Sequence, residues 1–316
     1  MGRVATRRRA ANAFSVFVII ATLSVAGVAQ NPNRIPRTPD GRPDLQGFWT
    51  NGTITPLLRP PEFENKEFLS PREADEYERT ALPRLLQGAQ VDRQAPAELS
   101  YTYMDRLTVV DGRRTSLITD PANGRFPPRA PQFNGREGVS SDGPETRTLD
   151  ERCLLGMAAG SSSASPPIVP NPISGNFYQI VQTPHHVVIL AELIHDARII
   201  RLDGRHRPSA VRSWLGDSIG HWEDDSLVVD TVYFSDERQW RGSSGRMRVV
   251  ERFTRTDFNT IRYRATIDDP ERWTRPWTME VPFKTTTQPV FEYACHEGNY
   301  ALGNILRGAR VEDAAR

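Results

Sequence analysis

Residues 246–268 read RMRVVERFTRTDFNTIRYRATID, and the fold class turns on this stretch. Two runs rich in β-branched and aromatic residues, Arg246–Arg255 and Thr260–Asp268, flank Thr256-Asp257-Phe258-Asn259, a cluster of turn formers. The same grammar repeats from Phe177 onward. Strands are expected at Tyr178–Thr183, His186–Leu193, Arg198–Leu202, Ile219–Trp222, Leu227–Val232, Thr278–Phe283 and Val290–Cys295. Turn signals separate them at Asp203-Gly204, Glu223-Asp224-Asp225 and Asp268-Asp269-Pro270. Eight or nine short strands without intervening helices predict a mainly β protein built as an antiparallel meander. Closing the meander into a lipocalin-like barrel removes the exposed edges that invite aggregation, and a sandwich is the runner-up. No period of 20–50 residues repeats, which argues against a propeller or solenoid.

The half before this is less regular. From Gln30 to Glu62 the chain is rich in Pro and Arg, with an aromatic island at Leu45-Gln46-Gly47-Phe48-Trp49, and reads as an extended arm docking through Phe48 and Trp49. Ser70-Pro71-Arg72-Glu73 combines a capping Ser, Pro at the first helical position and Glu three residues on, a capping box. It predicts a short helix to about Leu86 with a break near Pro83. Leu107–Val110 and Thr115–Ile118 around Asp111-Gly112 read as a hairpin. Residues 121–172 hold many Pro, Gly and Ser and read as a long irregular connection, a candidate lid. The expected organisation is therefore a leader at 1–29, an arm with a short helix at 30–103 and a β domain at 104–316.

The leader is read from Arg3, Arg7, Arg8 and Arg9, followed by the apolar run Ala13–Ala29 (AFSVFVIIATLSVAGVA) ending in small residues. That order is a secretory signal peptide. The run has 17 residues, short against the roughly 20 of a membrane span. A periplasmic or secreted protein with no stable membrane span after cleavage is expected. Residues 1–29 hold four of the 40 basic residues and none of the 39 acidic ones, so the remainder has 36 against 39, a net charge of −3. A mildly acidic chain is a poor partner for nucleic acid, which rewards a basic face. In an exported protein Cys153 and Cys295 are candidates for a disulfide joining the middle of the chain to its end; two separate buried thiols are the alternative.

The run Trp214-Leu215-Gly216-Asp217-Ser218-Ile219-Gly220-His221-Trp222-Glu223-Asp224-Asp225-Ser226-Leu227-Val228-Val229-Asp230-Thr231 resembles a motif of a family of exported bacterial proteins, frequent in acidobacteria and related soil bacteria. Tyr178-Gln179-Ile180-Val181-Gln182, Val250-Glu251-Arg252-Phe253, Thr274-Arg275-Pro276-Trp277-Thr278 and the segment 292–300 fit the same group. The likeness spans roughly residues 40–310. It implies one coherent domain and brings no established activity with it.

No Walker motif, Rossmann fingerprint or recognised zinc spacing is present, and no cofactor or metal is expected. Gly216-Asp217-Ser218-Ile219-Gly220 has the G-x-S-x-G spacing, but it leads into a strand where a hydrolase needs a strand-to-helix turn. The candidates for acid/base work are His195 with Glu192, His221 with Glu223 and Asp230, and His296 with Glu297, because His titrates near neutrality when a carboxylate positions it. Strict alternation along Leu227–Val232 puts Asp230 on one face between Val228 and Val232, with Arg252 or Arg264 as its partner. Trp214, Trp222, Trp273, Trp277 and Arg252 are candidates for contacting a ligand, against the plainer reading that tryptophans fill the core. Three functions fit: a metal-free acid/base enzyme on a small organic or carbohydrate substrate, a lipocalin-like carrier of a small molecule, and an envelope interaction protein.

Overall fold

The computed structural model describes residues 35–88, 107–133, 147, 149–155, 163–171, 175–202, 204–236 and 242–315. The expected leader at 1–29 lies outside the described residues. The elements run β1 (Gly47–Thr50), α1 (Pro71–Gly88), β2 (Ile118–Asp120), β3 (Phe177–Gln182), β4 (His186–Ala191), β5 (Ala197–Arg201), β6 (Asp217–Glu223), β7 (Ser226–Val232), β8 (Arg248–Arg255), β9 (Thr260–Asp268), β10 (Trp277–Thr285) and α2 (Ala301–Ala314).

Strand order is β1-β3-β4-β5-β6-β7-β8-β9-β10, and β1 pairs again with β10, so nine strands close into a barrel. The closure is short: Trp49 faces Thr285 and Thr50 faces Lys284. β2 covers the rest of that edge of β10, opposite Thr278 and Met279. Every neighbouring pair round the ring is antiparallel except β5 and β6, which meet in parallel at Arg201 and Ile219. Asp203-Gly204 was expected to make a hairpin turn. Instead the chain crosses back through 204–216 before β6 begins, which makes the barrel mixed.

Period-two patterning fills the lumen. On β8 and β9 the residues Val249, Glu251, Phe253, Ile261, Tyr263, Ala265 and Ile267 are buried while Arg248, Arg262 and Arg264 are exposed. Trp49, Tyr178, Phe253, Tyr263, Trp277 and Phe283 are all fully buried. The Phe253, Tyr263 and Phe283 rings, with Tyr178, pack edge-to-face or tilted at centroid distances of 5.0–6.4 Å.

Four local expectations change. The island at 45–49 is not a docked arm but a strand of the barrel wall, with Trp49 Nε1 donating to Leu45 O at 3.0 Å. The hairpin expected at 107–118 does not form, because the preceding arm offers better partners: Ile54 N donates to Thr108 O, Thr115 N to Glu67 O and Leu117 N to Pro56 O. Val290–Cys295 is not a strand, since β10 already has both edges covered. α2 follows that segment with its apolar Ile305 and Val311 exposed, so no buried apolar face announced it. The Ser70–Glu73 capping box forms as read, and α1 continues through Pro83 to Gly88.

The irregular connection enters the barrel. Residues 163–171 are buried without exception, and Ile168 N donates to the Tyr263 hydroxyl at 2.8 Å. Ser163 Oγ donates to Asp196 Oδ2 at 2.5 Å where β4 turns into β5, and Asn171 is bound twice to Asn176 just before β3. This segment is a plug at one end of the barrel. Phe126 closes the wall elsewhere, stacked on Trp273 at 4.6 Å and edge-on to Trp277 at 4.9 Å.

Candidate functional site in the barrel lumen

Arg198 on β5 and Glu251 on β8 lie three strands apart and meet across the lumen. Arg198 Nη1 and Nη2 donate to Glu251 Oε2 and Oε1 at 2.8 and 3.0 Å, with both side chains almost wholly out of solvent. Tyr263 Oη donates to Glu251 Oε1 at 2.8 Å and accepts the plug's Ile168 N–H. Burial pushes the Tyr263 hydroxyl well above the usual phenol range and the Glu251 charge adds to it, while Arg198 opposes. Tyr263 is therefore a fixed donor to the carboxylate. An ion pair of this kind contributes little net stability, because removing two charges from water offsets their attraction.

The same lumen holds polar atoms that lack a protein partner among the described residues. They are Arg198 Nε, the Tyr178 hydroxyl and both amide atoms of Asn51. Tyr178 is buried two strands from Arg198 and two residues out of register with it: Tyr178 pairs with Ala191, and Ile180 with Ile189, which pairs with Arg198. Asn51 stands near enough to the Tyr178 hydroxyl to act on it as a hydrogen-bonding neighbour, although the geometry between them falls short of a full hydrogen bond. Tyr178 and Asn51 are 0 % and 1 % exposed. Burial raises the Tyr178 hydroxyl, so it stays protonated and can donate.

The expected catalytic residues fall into three separate places. Glu192 and His195 sit at the β4–β5 turn and hold the C-terminal segment: Glu192 Oε2 accepts from Phe291 N at 3.1 Å and His195 Nδ1 accepts from Tyr293 N at 3.0 Å. Ile194 and His195 both occupy the left-handed backbone region, at φ 60° and 54°, which for a β-branched residue costs on the order of 1–3 kcal/mol. Cys295 is disulfide-bonded to Cys153, and His296 and Glu297 are exposed just beyond it. His221 lies past the far end of β5, where its Nε2 meets Glu223 Oε1 at 3.0 Å and Arg252 binds Glu223 Oε2 at 2.8 Å, all three on the outer face.

Asp230 belongs to a third group, and its arginine is neither Arg252 nor Arg264. Arg248, two residues before Asp230's β8 register partner Val250, grips it with Nε and Nη2 at 2.8 and 2.9 Å. His206, which the sequence reading left unranked, lies between Asp217 and Asp230, at 2.9 Å from Nδ1 and 3.4 Å from Nε2. Asp217 also accepts from Arg207 N and Arg201. These bonds staple the 204–216 crossover onto the barrel wall. Burial would raise both carboxyls, but the donors outweigh it and hold them below the usual range: Arg207 N–H, His206 and Arg201 for Asp217, Arg248 and His206 for Asp230.

A pH dependence follows. A carboxylate whose folded pKa is depressed stabilises fully above its unfolded value of about 4, and that stability is lost as pH falls through the lower folded value. The urea midpoint is therefore expected to fall steeply below about pH 4, and Asp217→Asn to flatten that slope while lowering the neutral-pH midpoint. Identical acid slopes in the two proteins would contradict the assignment.

Trp273 and Trp277 are core residues on the aromatic cluster with Phe126. Trp222 is half-buried with Arg42 over its ring at 5.9 Å, and Trp214 is half-buried beside the crossover. Ser218 is buried with its hydroxyl bonded to Thr231, so nothing exposes it as a nucleophile. Arg198, Glu251, Tyr178 and Asn51 were missed as site residues. Glu251 carried a readable signal, a carboxylate between Val249 and Phe253 on an inward face. No metal-binding group of three His, Cys, Asp or Glu side chains occurs among the described residues. Comparison of the chain with protein-family models, curated proteins and solved structures gives no match.

Proposed function

We propose that the protein is an extracytoplasmic small-molecule-binding barrel whose site is the polar centre of its lumen. The observation that carries this reading is the group of hydrogen-bonding atoms on Arg198, Tyr178 and Asn51 that are buried without a protein partner. Each such group costs about 1–3 kcal/mol in the folded state, a cost recovered by a molecule that offers an acceptor to Arg198 Nε and Tyr178 and a complementary amide or hydroxyl to Asn51. The bidentate Glu251 grip fixes the guanidinium in one plane, and the surrounding Phe253, Phe283 and Tyr263 rings favour a largely apolar ligand with few polar groups. Binding is favoured over acid/base catalysis because His195, His221 and His296 are all exposed, with His221 on the outer face of β6 apart from the strap that His195 binds and His296 follows.

The test is native mass spectrometry of the protein recovered from an exporting bacterial host. The wild type is expected to carry a small mass that leaves on collisional activation. Tyr178→Phe is expected to lose that mass while keeping or raising the melting temperature of the ligand-free protein, since it deletes an unpartnered hydroxyl. A bare wild-type mass, with Tyr178→Phe strongly destabilised, would overturn the reading and make the hydroxyl purely structural.

A further inference from the structure

The segment after β10 crosses the barrel end that carries the plug. It is fixed there by two backbone donors, Phe291 N–H on the Glu192 carboxylate and Tyr293 N–H on His195 Nδ1. The Cys153–Cys295 disulfide fixes it covalently. The same turn holds the plug through Asp196 and Ser163, so strap, plug and turn converge on residues 192–196. The two hydrogen bonds differ in kind. A carboxyl oxygen accepts whether or not the group is ionised, whereas Nδ1 accepts only while it carries no proton. Protonation there turns an acceptor into a donor facing the Tyr293 donor. An imidazole makes that change within pH 5–8.

We propose that His195 is an acid-released latch, which holds the C-terminal strap on the barrel end at neutral pH and frees residues 292–294 when its Nδ1 is protonated. Glu192 and Asp196 flank it on its own turn, and the strap it binds carries Glu292, His296 and Glu297. Glu192 is the one whose charge acts on His195 directly. The Phe291–Glu192 bond and the disulfide limit the movement, so release frees the stretch between Phe291 and Cys295 while both of its ends stay tethered. The left-handed backbone at Ile194 and His195 fits a turn that aims its side chain at a target. The latch stands on this geometry alone and does not depend on what the lumen binds.

The test is hydrogen exchange on the disulfide-intact protein at pH 7.5 and 5.0, corrected for intrinsic rates. Protection of the Tyr293 amide is expected to fall at least tenfold at the lower pH while the β8 and β9 amides stay protected. His195→Asn places an amide oxygen where Nδ1 was, tolerates the left-handed backbone and does not titrate; it is expected to keep Tyr293 protected at both pH values. Unchanged wild-type protection, or parallel loss in His195→Asn, would overturn the latch. Should the variant fail to fold, the wild type decides by nuclear magnetic resonance. The Tyr293 amide shift is expected to titrate with the His195 ring, and independence of the two signals counts against it.

Discussion

Glu251→Ala is expected to lower the unfolding free energy by about 3–5 kcal/mol, because it leaves the Arg198 guanidinium buried and unpaired. The loss is large for a side chain that touches no solvent and packs little apolar surface. Tyr263 loses its acceptor in the same step, and with it the plug loses a fixed anchor at Ile168 N–H. Removing both charges together acts differently. Arg198→Met with Glu251→Leu is expected to regain most of the stability, since similar-sized apolar groups in place of a buried pair are often neutral or better. Urea denaturation of the three proteins measures this. A single Glu251→Ala variant within about 1 kcal/mol of wild type would mean that Arg198 reaches solvent or another anion.

The second large effect is expected from the disulfide. Cys153 and Cys295 are 142 residues apart, and the chain-entropy model assigns closure of a loop of that length about 5 kcal/mol, with about 2–4 kcal/mol typical of measurement. Cys153→Ala with Cys295→Ala is expected to fall in the measured range, and thermal unfolding with and without reductant reads the same difference in the wild type. The loss also loosens the strap that Glu192 and His195 hold, so exchange at Phe291 and Tyr293 is expected to speed up before the strands respond. An unchanged melting temperature on full reduction would contradict the role given to this bond.

The barrel was legible because strand burial repeats every second residue, and the runs at 246–255 and 260–268 became β8 and β9 with almost the expected limits. The β5–β6 crossover was not, since Asp203-Gly204 looks locally like a hairpin turn and only the pairing of Asp217 with Arg201, His206 and Arg207 reveals the return path. A false hairpin at 107–118 has the same origin: local turn chemistry was right, but long-range partners in the arm took the strand donors. The lumen site was hidden for a different reason. Arginine and glutamate on strands are ordinary on an outer face, and Arg198 and Glu251 declare themselves only through register. The histidines drew attention by residue type, yet His195 acts on the backbone of a segment nearly a hundred residues away, and His206 acts on the wall beside it.

The most direct measurement is a high-resolution crystal structure of the protein as recovered from a bacterial expression host, read at Arg198 Nε, the Tyr178 hydroxyl and the Asn51 amide. The expected result is non-protein density bonded to at least two of these groups between the plug and the aromatic wall. Ordered water alone at all three, or side chains that turn to satisfy one another, would contradict a ligand site in the lumen.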